Sequence, residues 1–232
     1  MKLYYDLHIH SSLSPCGDDD MTPNNIVHMA MLKELNMIAV TDHNSARNLP
    51  AVKKVADECG ILLIPGIEVT TAEEIHLLTY FETLEETMDF GEYIYDSLPD
   101  ISNRPEIFGE QKIMDETDAV TGHLDKLLLT ASCHSIDALC REVRRRGGVP
   151  VPAHVNRESN SILMSLGFIP ADLEFSSLEV AEAFPLQGVN PAAYRVLYSS
   201  DAHYIMDIAE KRNYLNCDAN SAAVLEKIKT IP

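Results

Sequence analysis

The feature that most constrains the fold is the alternation of short apolar runs with amphipathic segments. The apolar runs occupy residues 2–7, 37–41, 61–65, 75–81, 148–153, 177–184 and 195–200. Nearly continuous apolar runs of this length are typical of strands that are covered on both faces, as in a parallel sheet. Because helical patterns separate several of these runs, the sequence predicts repeated strand–helix units and an α/β fold.

The helical segments carry their own start and stop signals. Thr22 and Pro23 suit the N-cap and first position of one helix, and Ser135 suits the N-cap of another. Gly60 and Gly147 stand where two helices are expected to end. The stretch at about 82–135 is acidic and has weaker periodicity, so we interpret it as an excursion from the repeating pattern. Without repeats or a low-complexity linker, residues 1–232 are expected to form a single domain.

Charge and cysteine content narrow the classes of partner and compartment. Asp and Glu number 36 against 18 Lys and Arg, for a net charge of -18. Long nucleic acid is therefore an unlikely partner, whereas a small anionic substrate is compatible if bound cations neutralise the site. Five cysteines without a C-x-x-C pair indicate free thiols. With no apolar signal core and no run of 18 apolar residues, we expect a cytoplasmic protein that does not contact membranes, and the oligomeric state stays open.

Side chains that ligate metals follow most of the predicted strands. His8 and His10 follow the first run, Asp42 and His43 follow the second, and Glu68 follows the third. His154 follows the fifth run, and Asp201 and His203 follow the seventh. Since the carboxyl ends of successive parallel strands meet on one face of a fold, these side chains are expected to converge. A set of imidazoles and carboxylates without thiolates favours Zn, Mn or Fe.

Other histidines in the chain have no such placement. His28 lies on a predicted helix, and His123 and His134 lie in the irregular middle, so we interpret all three as structural. Within the converging set, a carboxylate such as Glu68 could bridge two metals. Two ions about 3.5–4 Å apart can clamp the attacking and leaving oxygens of a phosphate ester.

Six motifs extend these observations to a known family. They are DLHIHSSLSPCGDDDMTP, MIAVTDHNS, IPGIEVTT, EIHLLTYF, PAHVNR and SSDAHY, which together span residues 6 to 204. In this order they resemble the PHP (polymerase and histidinol phosphatase) family of metal-dependent phosphoesterases. The resemblance implies a distorted (β/α)7 TIM-like barrel, the PHP fold, that holds two or three divalent ions, commonly a trinuclear metal site.

The same resemblance implies a ligand set. The first metal would be held by His8, His10, Glu68 and Asp201, and the second by Glu68, His76 and His154. The third would be held by Asp18, His43 and His203. Asp18 is chosen because it stands five residues before Pro23, and Asp19 remains the alternative. Asp42 would orient a ligand rather than bind metal.

The reaction expected from the resemblance is hydrolysis of a small phosphate monoester or short nucleotide. A metal-bound hydroxide would attack phosphorus, with Asp201, His203 and Glu68 closest to it. Arg157 is the first candidate for binding the phosphate of a small phosphorylated substrate, and Arg47 is the second. The alternatives are a non-catalytic PHP module with a structural or regulatory role, a nuclease acting on short oligonucleotides, and hydrolysis of a non-phosphate bond. The complete ligand set favours an enzyme, and neither the substrate nor the native metal follows from the sequence.

Overall fold

A computed structural model describes residues 1–231. The strands are β1 (Lys2–Ile9), β2 (Met37–Val40), β3 (Leu62–Leu63), β4 (Gly66–Thr70), β5 (His76–Tyr80), β6 (Lys112–Met114), β7 (Val120–His123), β8 (Val149–Pro152), β9 (Ser177–Glu179), β10 (Arg195–Leu197) and β11 (Tyr214–Asn216). The helices are α1 (Pro23–Leu32), α2 (Leu49–Cys59), α3 (Leu84–Ser97), α4 (Pro105–Phe108), α5 (Ile136–Arg145), α6 (Ile162–Leu166) and α7 (Ser221–Lys229). Three short 3-10 turns lie between residues 171 and 207.

The strands form several sheets, and the predicted α/β class is confirmed. In the largest sheet β1, β2 and β3 are parallel and β11 adds to β1 in the antiparallel direction. A second sheet has the order β4-β5-β8, and the pairs β9–β10 and β6–β7 stand apart. Isolated bridges join Ile9 to Ala202 and His43 to Glu68. Within residues 1–231 these ladders do not close, so the hydrogen-bond pattern alone does not establish the expected barrel.

The expectation of parallel strands is wrong at β5. This strand pairs in the antiparallel direction with both β4 and β8. The loop between β4 and β5 spans only residues 71–75, which is too short for the helical crossover that a parallel pair requires. As a result, β4 and β8 run in the same direction on either side of a reversed β5.

Local capping chemistry explains where the predicted helices begin and end. The Thr22 hydroxyl accepts a hydrogen bond from the Asn25 amide, and Ser135 does the same for the Ala138 amide. Gly60 ends α2 at a φ of +69°, in the left-handed region that favours glycine. The helices therefore start within about a residue of the positions that their caps predict.

The excursion at 82–135 is ordered and contains α3, α4 and the β6–β7 hairpin. Thr83 and Glu86 form a reciprocal capping box at the start of α3, which buries Phe90 and Ile94 in the main core. The hairpin is tied to the loop that follows β1, because the Lys112 amide donates to the Ser12 carbonyl at 3.1 Å. Among residues 1–231, no helix has the length and apolar character needed to cross a membrane.

Candidate metal centre

Glu68 is the centre of the candidate site and is fully buried. Its Oε1 lies 2.9 Å from His76 Nδ1 and 3.3 Å from both His8 Nε2 and His154 Nε2. Its Oε2 lies 3.0 Å from His43 Nδ1 and 3.3 Å from His10 Nε2. A single carboxylate thus faces five imidazoles that come from distant parts of the chain.

Asp201 supplies a second shared carboxylate. Its Oδ1 lies 3.0 Å from His10 Nε2 and 3.2 Å from His8 Nε2, and these two nitrogens are 3.1 Å apart. His203 stacks on His10, with ring centroids 4.3 Å apart. Ligand atoms within 4.8 Å of one another form three groups: His8 with His10, Glu68 and Asp201; His43 with Glu68 and His76; and His10 with His43 and His203.

The fold brings these residues together at one edge of the sheets. The parallel strands β1 and β2 end beside the ligands His10 and His43, as expected. His76 starts its strand rather than following it, yet it pairs with Thr70 at the end of β4 because β5 is reversed. Ala153 then donates its amide to the His76 carbonyl, which places His154 at the same edge. The reversed strand thus explains why a ligand at a strand start joins ligands at strand ends.

The donor set fits divalent cations. Four buried atoms of the centre lack a hydrogen-bond partner among residues 1–231: His43 Nδ1, Glu68 Oε2, His76 Nδ1 and His154 Nδ1. His43 Nδ1 and Glu68 Oε2 are close but are not aligned for a hydrogen bond to each other. In a tetrahedral site with metal–ligand distances of about 2.0–2.2 Å, neighbouring ligand atoms lie roughly 3.3–3.6 Å apart. The separations around Glu68 and Asp201 approach this spacing, and a cation bound by His43, Glu68 and His76 would satisfy three of these four atoms.

Glu179 is a site residue that the sequence analysis did not assign. Its carboxylate accepts from His8 Nδ1 at 2.9 Å and from the His154 backbone amide at 2.9 Å, and it is buried. The contact on Nδ1 leaves His8 Nε2 free to face Glu68 and Asp201. In the sequence Glu179 is only the third residue of the predicted strand at 177–184, and the structure places its buried carboxylate at the end of β9.

Asp42 contacts a candidate ligand through an intermediate hydroxyl. It accepts from the Ser14 hydroxyl at 2.7 Å and from the Ser11 amide and hydroxyl at 2.7 and 2.6 Å. Ser14 lies 3.0 Å from His10 Nδ1 and accepts the His43 amide at 3.1 Å. Asp42 joins none of the three ligand groups, and its orienting role stays a prediction.

The loop that contains Asp201 is hydrogen-bonded to β1 through the buried carboxylate of Asp6. Asp6 accepts from the Ser200 hydroxyl at 2.6 Å, the Ser200 amide at 3.0 Å and the Ala209 amide at 2.8 Å. Asp201 and His154 both have positive φ values, +53° and +27°, which are uncommon for residues with a side chain. Such backbone conformations persist where surrounding contacts hold them, and they concentrate at functional sites.

The three loop aspartates have different surroundings. Asp18 is half-buried, and its amide donates to the His203 carbonyl at 2.8 Å, but its carboxylate accepts from the Asp20 amide at 2.9 Å. Asp19 is exposed and pairs with Lys112 at 2.7 Å, and Asp20 is exposed. None of the three belongs to a ligand group. Of the two aspartates considered as ligands, Asp18 is the one adjacent to a histidine of the centre.

The two candidate arginines also differ in their surroundings. Arg157 forms an ion pair with Asp201 and lines a cavity of about 150 Å³ together with His43, Glu68, His76, His154, Asp201 and His203. Arg47 pairs with Glu92 at 2.7 Å on an exposed surface and is not part of that cavity lining. Of the two candidate arginines, Arg157 is therefore the one whose guanidinium lies at the centre.

Burial and charge act in opposite directions on the histidines of the centre. Burial lowers the pKa of His10, but the Asp201 and Glu68 carboxylates outweigh it and raise that pKa to about 9. Burial and His10 lower the pKa of His43, yet Glu68 raises it to about 9. His203 has less carboxylate contact, and burial lowers its pKa to about 4. The two carboxylates thus create a field that strongly favours positive charge.

A family model for the PHP domain matches residues 6–147, more than half of the sequence. The chain belongs to the PHP domain family. It is 36% identical over 74 residues to the 5'-3' exoribonuclease Rnm of Salmonella typhimurium, a segment that is 31% of this chain and 24% of that enzyme.

Solved structures support the fold over nearly the whole chain. Endonuclease Q in complex with a 27-mer duplex substrate with an abasic lesion at the active site has a TM-score of 0.68 and 18% identity, covering 100% of this chain and 58% of that one. A Bifidobacterium adolescentis protein assigned as a metal-dependent phosphoesterase has a TM-score of 0.61 and 18% identity, covering 98% and 96%. The chain thus spans less than two thirds of the exoribonuclease and of endonuclease Q.

These relatives overturn one expectation from composition. Long nucleic acid was expected to be an unlikely partner, but one relative is named an exoribonuclease and another holds a duplex substrate. The expectation was wrong because net charge averages over the whole surface, whereas binding depends on the field at the site. Bound cations can be the largest local charges there, even in an acidic protein.

Proposed function

We propose that this chain is a metal-dependent phosphoesterase that hydrolyses phosphate esters of nucleotides, including phosphodiesters of nucleic acid. The observation that carries the proposal is the convergence of imidazoles on two shared carboxylates beside an arginine. Among residues 1–231, no second cluster of metal-ligating side chains meets the same spacing. The relatives that act on nucleic acid favour a nucleotide ester over other phosphate esters.

The proposed ligands form two sites that share Glu68, with a third beside them. His8, His10 and Asp201 complete the first site, and His76 and His154 flank Glu68 at the second. His43 with His203 and Asp18 would hold a third ion, although His43 also lies beside Glu68. Two or three divalent ions bound there would supply Lewis acidity and an activated water.

The chain's own residues would bind and orient the substrate around these ions. Glu179 and the Ser14–Asp42 pair keep the donor atoms of His8 and His10 directed inward. Arg157 presents a guanidinium at the cavity wall, where it can bind a phosphate oxygen in place of part of its contact with Asp201. Because these groups are already held in position, they can stabilise charge that develops on the phosphate oxygens. We also propose that residues 1–232 act as one PHP domain in which α3 and the β6–β7 hairpin cover one side of the site.

The deciding experiment measures hydrolysis of RNA and DNA oligonucleotides, AMP and p-nitrophenyl phosphate by protein reconstituted separately with Zn, Mn and Fe. We expect turnover that disappears on chelation and in Glu68→Gln. Comparable hydrolysis by metal-free protein would contradict the proposal. Complete inactivity of fully metal-loaded protein on all substrates would favour the non-catalytic alternative.

The arginine assignment has its own matched pair of variants. Arg157→Ala should lower kcat/KM by about 10²–10³-fold, as expected for loss of one electrostatic donor, while metal content is retained. Arg47→Ala should change kcat/KM little, because its side chain is paired with Glu92 away from the cavity. If Arg47→Ala is the damaging variant, the phosphate lies nearer to α2 than proposed.

Hydrolysis of a phosphate monoester is the second candidate function. The cavity at the centre is small, about 150 Å³, which suits a terminal phosphate as well as a strand end. Comparing an oligonucleotide with AMP at equal concentration separates the two, because a monoesterase would release inorganic phosphate from AMP and leave internal diesters intact.

A further inference from the structure

A second cavity adjoins the candidate metal centre and shares part of its wall. It has a volume of about 310 Å³, and His154, Arg157 and Asp201 line both cavities. Because Arg157 lines both cavities, a ligand whose phosphate contacts its guanidinium can place its other groups in the second cavity. The volume is at the lower end of small-ligand pockets and suits one nucleoside rather than a peptide or a lipid chain.

One wall of the second cavity presents an exposed aromatic ring on an anchored backbone segment. Phe184 lines it with 43% of its surface exposed, next to the small residues Ala181 and Ala183. Asn156 fixes this segment, because its side-chain amide donates to the Ala181 carbonyl at 2.9 Å and to the Phe184 carbonyl at 2.7 Å. The Asn156 side-chain oxygen accepts the Ala181 amide at 2.9 Å in return. An exposed phenylalanine on an anchored backbone provides a preorganised stacking surface.

The cavity also contains a cation without a partner. Arg212 lines it, and among residues 1–231 the Arg212 guanidinium makes neither a hydrogen bond to another side chain nor a salt bridge. The nearby acid Glu210 is instead paired with Lys33 at 3.0 Å. Because acidic side chains such as Glu182 and Asp207 line the rest of this wall, an anionic group of a ligand is expected beside Arg212.

From this arrangement we propose that the second cavity binds the nucleoside attached to the phosphate at the metal centre. The base would stack on Phe184, and Arg212 would contact the next phosphate of a longer strand. Stacking of this kind is tolerant of sequence because every base offers a π-face. The inference rests on the proposed function, since it assigns the substrate's non-reacting part to a place beside the same centre.

The test measures binding, so that it can be separated from hydrolysis. Calorimetry with Mn-loaded protein would compare AMP, ribose 5-phosphate and inorganic phosphate as probes. We expect AMP to bind about tenfold or more tightly than ribose 5-phosphate, in line with stacking energies of about 1–3 kcal/mol per base. Phe184→Ala should remove most of that difference and leave the binding of ribose 5-phosphate unchanged.

The matched control is Phe168→Ala, because Phe168 is 61% exposed and lines neither cavity. It should bind all three probes as the unmodified protein does. Equal affinity for AMP and ribose 5-phosphate in the unmodified protein would overturn the inference, as would an unchanged AMP preference in Phe184→Ala. Arg212→Ala should weaken the binding of a dinucleotide with a second phosphate more than it weakens the binding of AMP. An equal loss of affinity for both would contradict the role given to Arg212.

The outcomes for binding and for activity are independent. Base-dependent binding that requires Phe184, together with no hydrolysis of any substrate, would support the pocket and contradict the proposed function. Hydrolysis without base-dependent binding would support the function and contradict the pocket.

Discussion

Glu179 acts on the candidate centre through other residues. Its carboxylate contacts His8 Nδ1 and the His154 amide at once, so one side chain positions ligands from two strands. Carboxylates that fix a metal-binding imidazole in this way raise the basicity of the ligand and define its tautomer. The sequence did not reveal this, because a glutamate inside an apolar run has no signature that separates it from an ordinary strand residue.

We predict that Glu179→Gln weakens metal binding about 10–100-fold, which is typical for loss of such an orienting partner. The amide keeps the size of the side chain but replaces one accepting oxygen with a donor. Competition with a chelator measures the affinity, and thermal unfolding checks that the fold is retained. Glu226→Gln is the control, since Glu226 is exposed and lines neither cavity. Unchanged affinity in Glu179→Gln would show that His8 needs no orienting carboxylate.

The loop aspartates allow a second test at single residues. Asp18→Asn should lower the number of metals bound and reduce turnover, because Asp18 adjoins His203 and can turn its carboxylate inward. Asp20→Asn should stay within about ±0.5 kcal/mol of the unmodified stability and should keep its metals, as expected for an exposed acid. Elemental analysis of both variants measures the number of bound metals and tests this difference. If Asp19→Asn loses a metal instead, the ligand is one residue further along the loop.

At the scale of elements, the sequence predicted strand and helix positions better than strand directions. Periodicity and caps located β1, β2, α2 and α5 because those signals are local. The reversal of β5 depends on the short loop before it and on pairing with β8, which is distant in sequence. Hence the expectation that ligands follow strand ends located His8 and His43, whereas His76 was predicted only from the family resemblance.

The tie between β1 and the loop after β10 can be tested at Asp6. This carboxylate is fully buried and accepts from Ser200 and Ala209. Asp6→Asn removes one accepting oxygen and leaves a buried amide without its partner, which should cost about 1–3 kcal/mol in the free energy of unfolding. Urea titration measures the loss. Asp207→Asn on the same loop is the control, because its side chain is exposed, and a similar loss in both variants would argue against a special role for Asp6.

At the scale of the whole molecule, composition described the chain's average properties and misjudged its partners. Length and apolar content predicted a sizeable core, but the net charge of -18 said nothing about the local field around Glu68 and Asp201. That field arises in part from residues that lie as far apart as His10 and Asp201, 191 positions in the sequence, so it exists only in the folded chain. Its strength also determines how the metal-free protein should respond to pH.

We predict that the metal-free protein loses stability as the pH rises from about 6.5 to above 9. His10 and His43 have pKa values near 9 in the fold and about 6.5 when unfolded. Their stabilisation is therefore complete below pH 6.5 and is lost as the pH passes through 9. Calorimetric scans of chelated protein across this window measure it.

Metal-loaded protein should show a smaller decline, because a bound cation takes the place of the protons between the carboxylates. A free metal concentration of about 100 times Kd should also add roughly 2.7 kcal/mol to the free energy of unfolding. His10→Gln should flatten the pH response of the chelated protein, whereas the exposed His28→Gln should leave it unchanged. Equal slopes in chelated and loaded protein would mean that the cluster does not exchange protons for metal, and the centre would then lack the electrostatic coupling on which the proposed function depends.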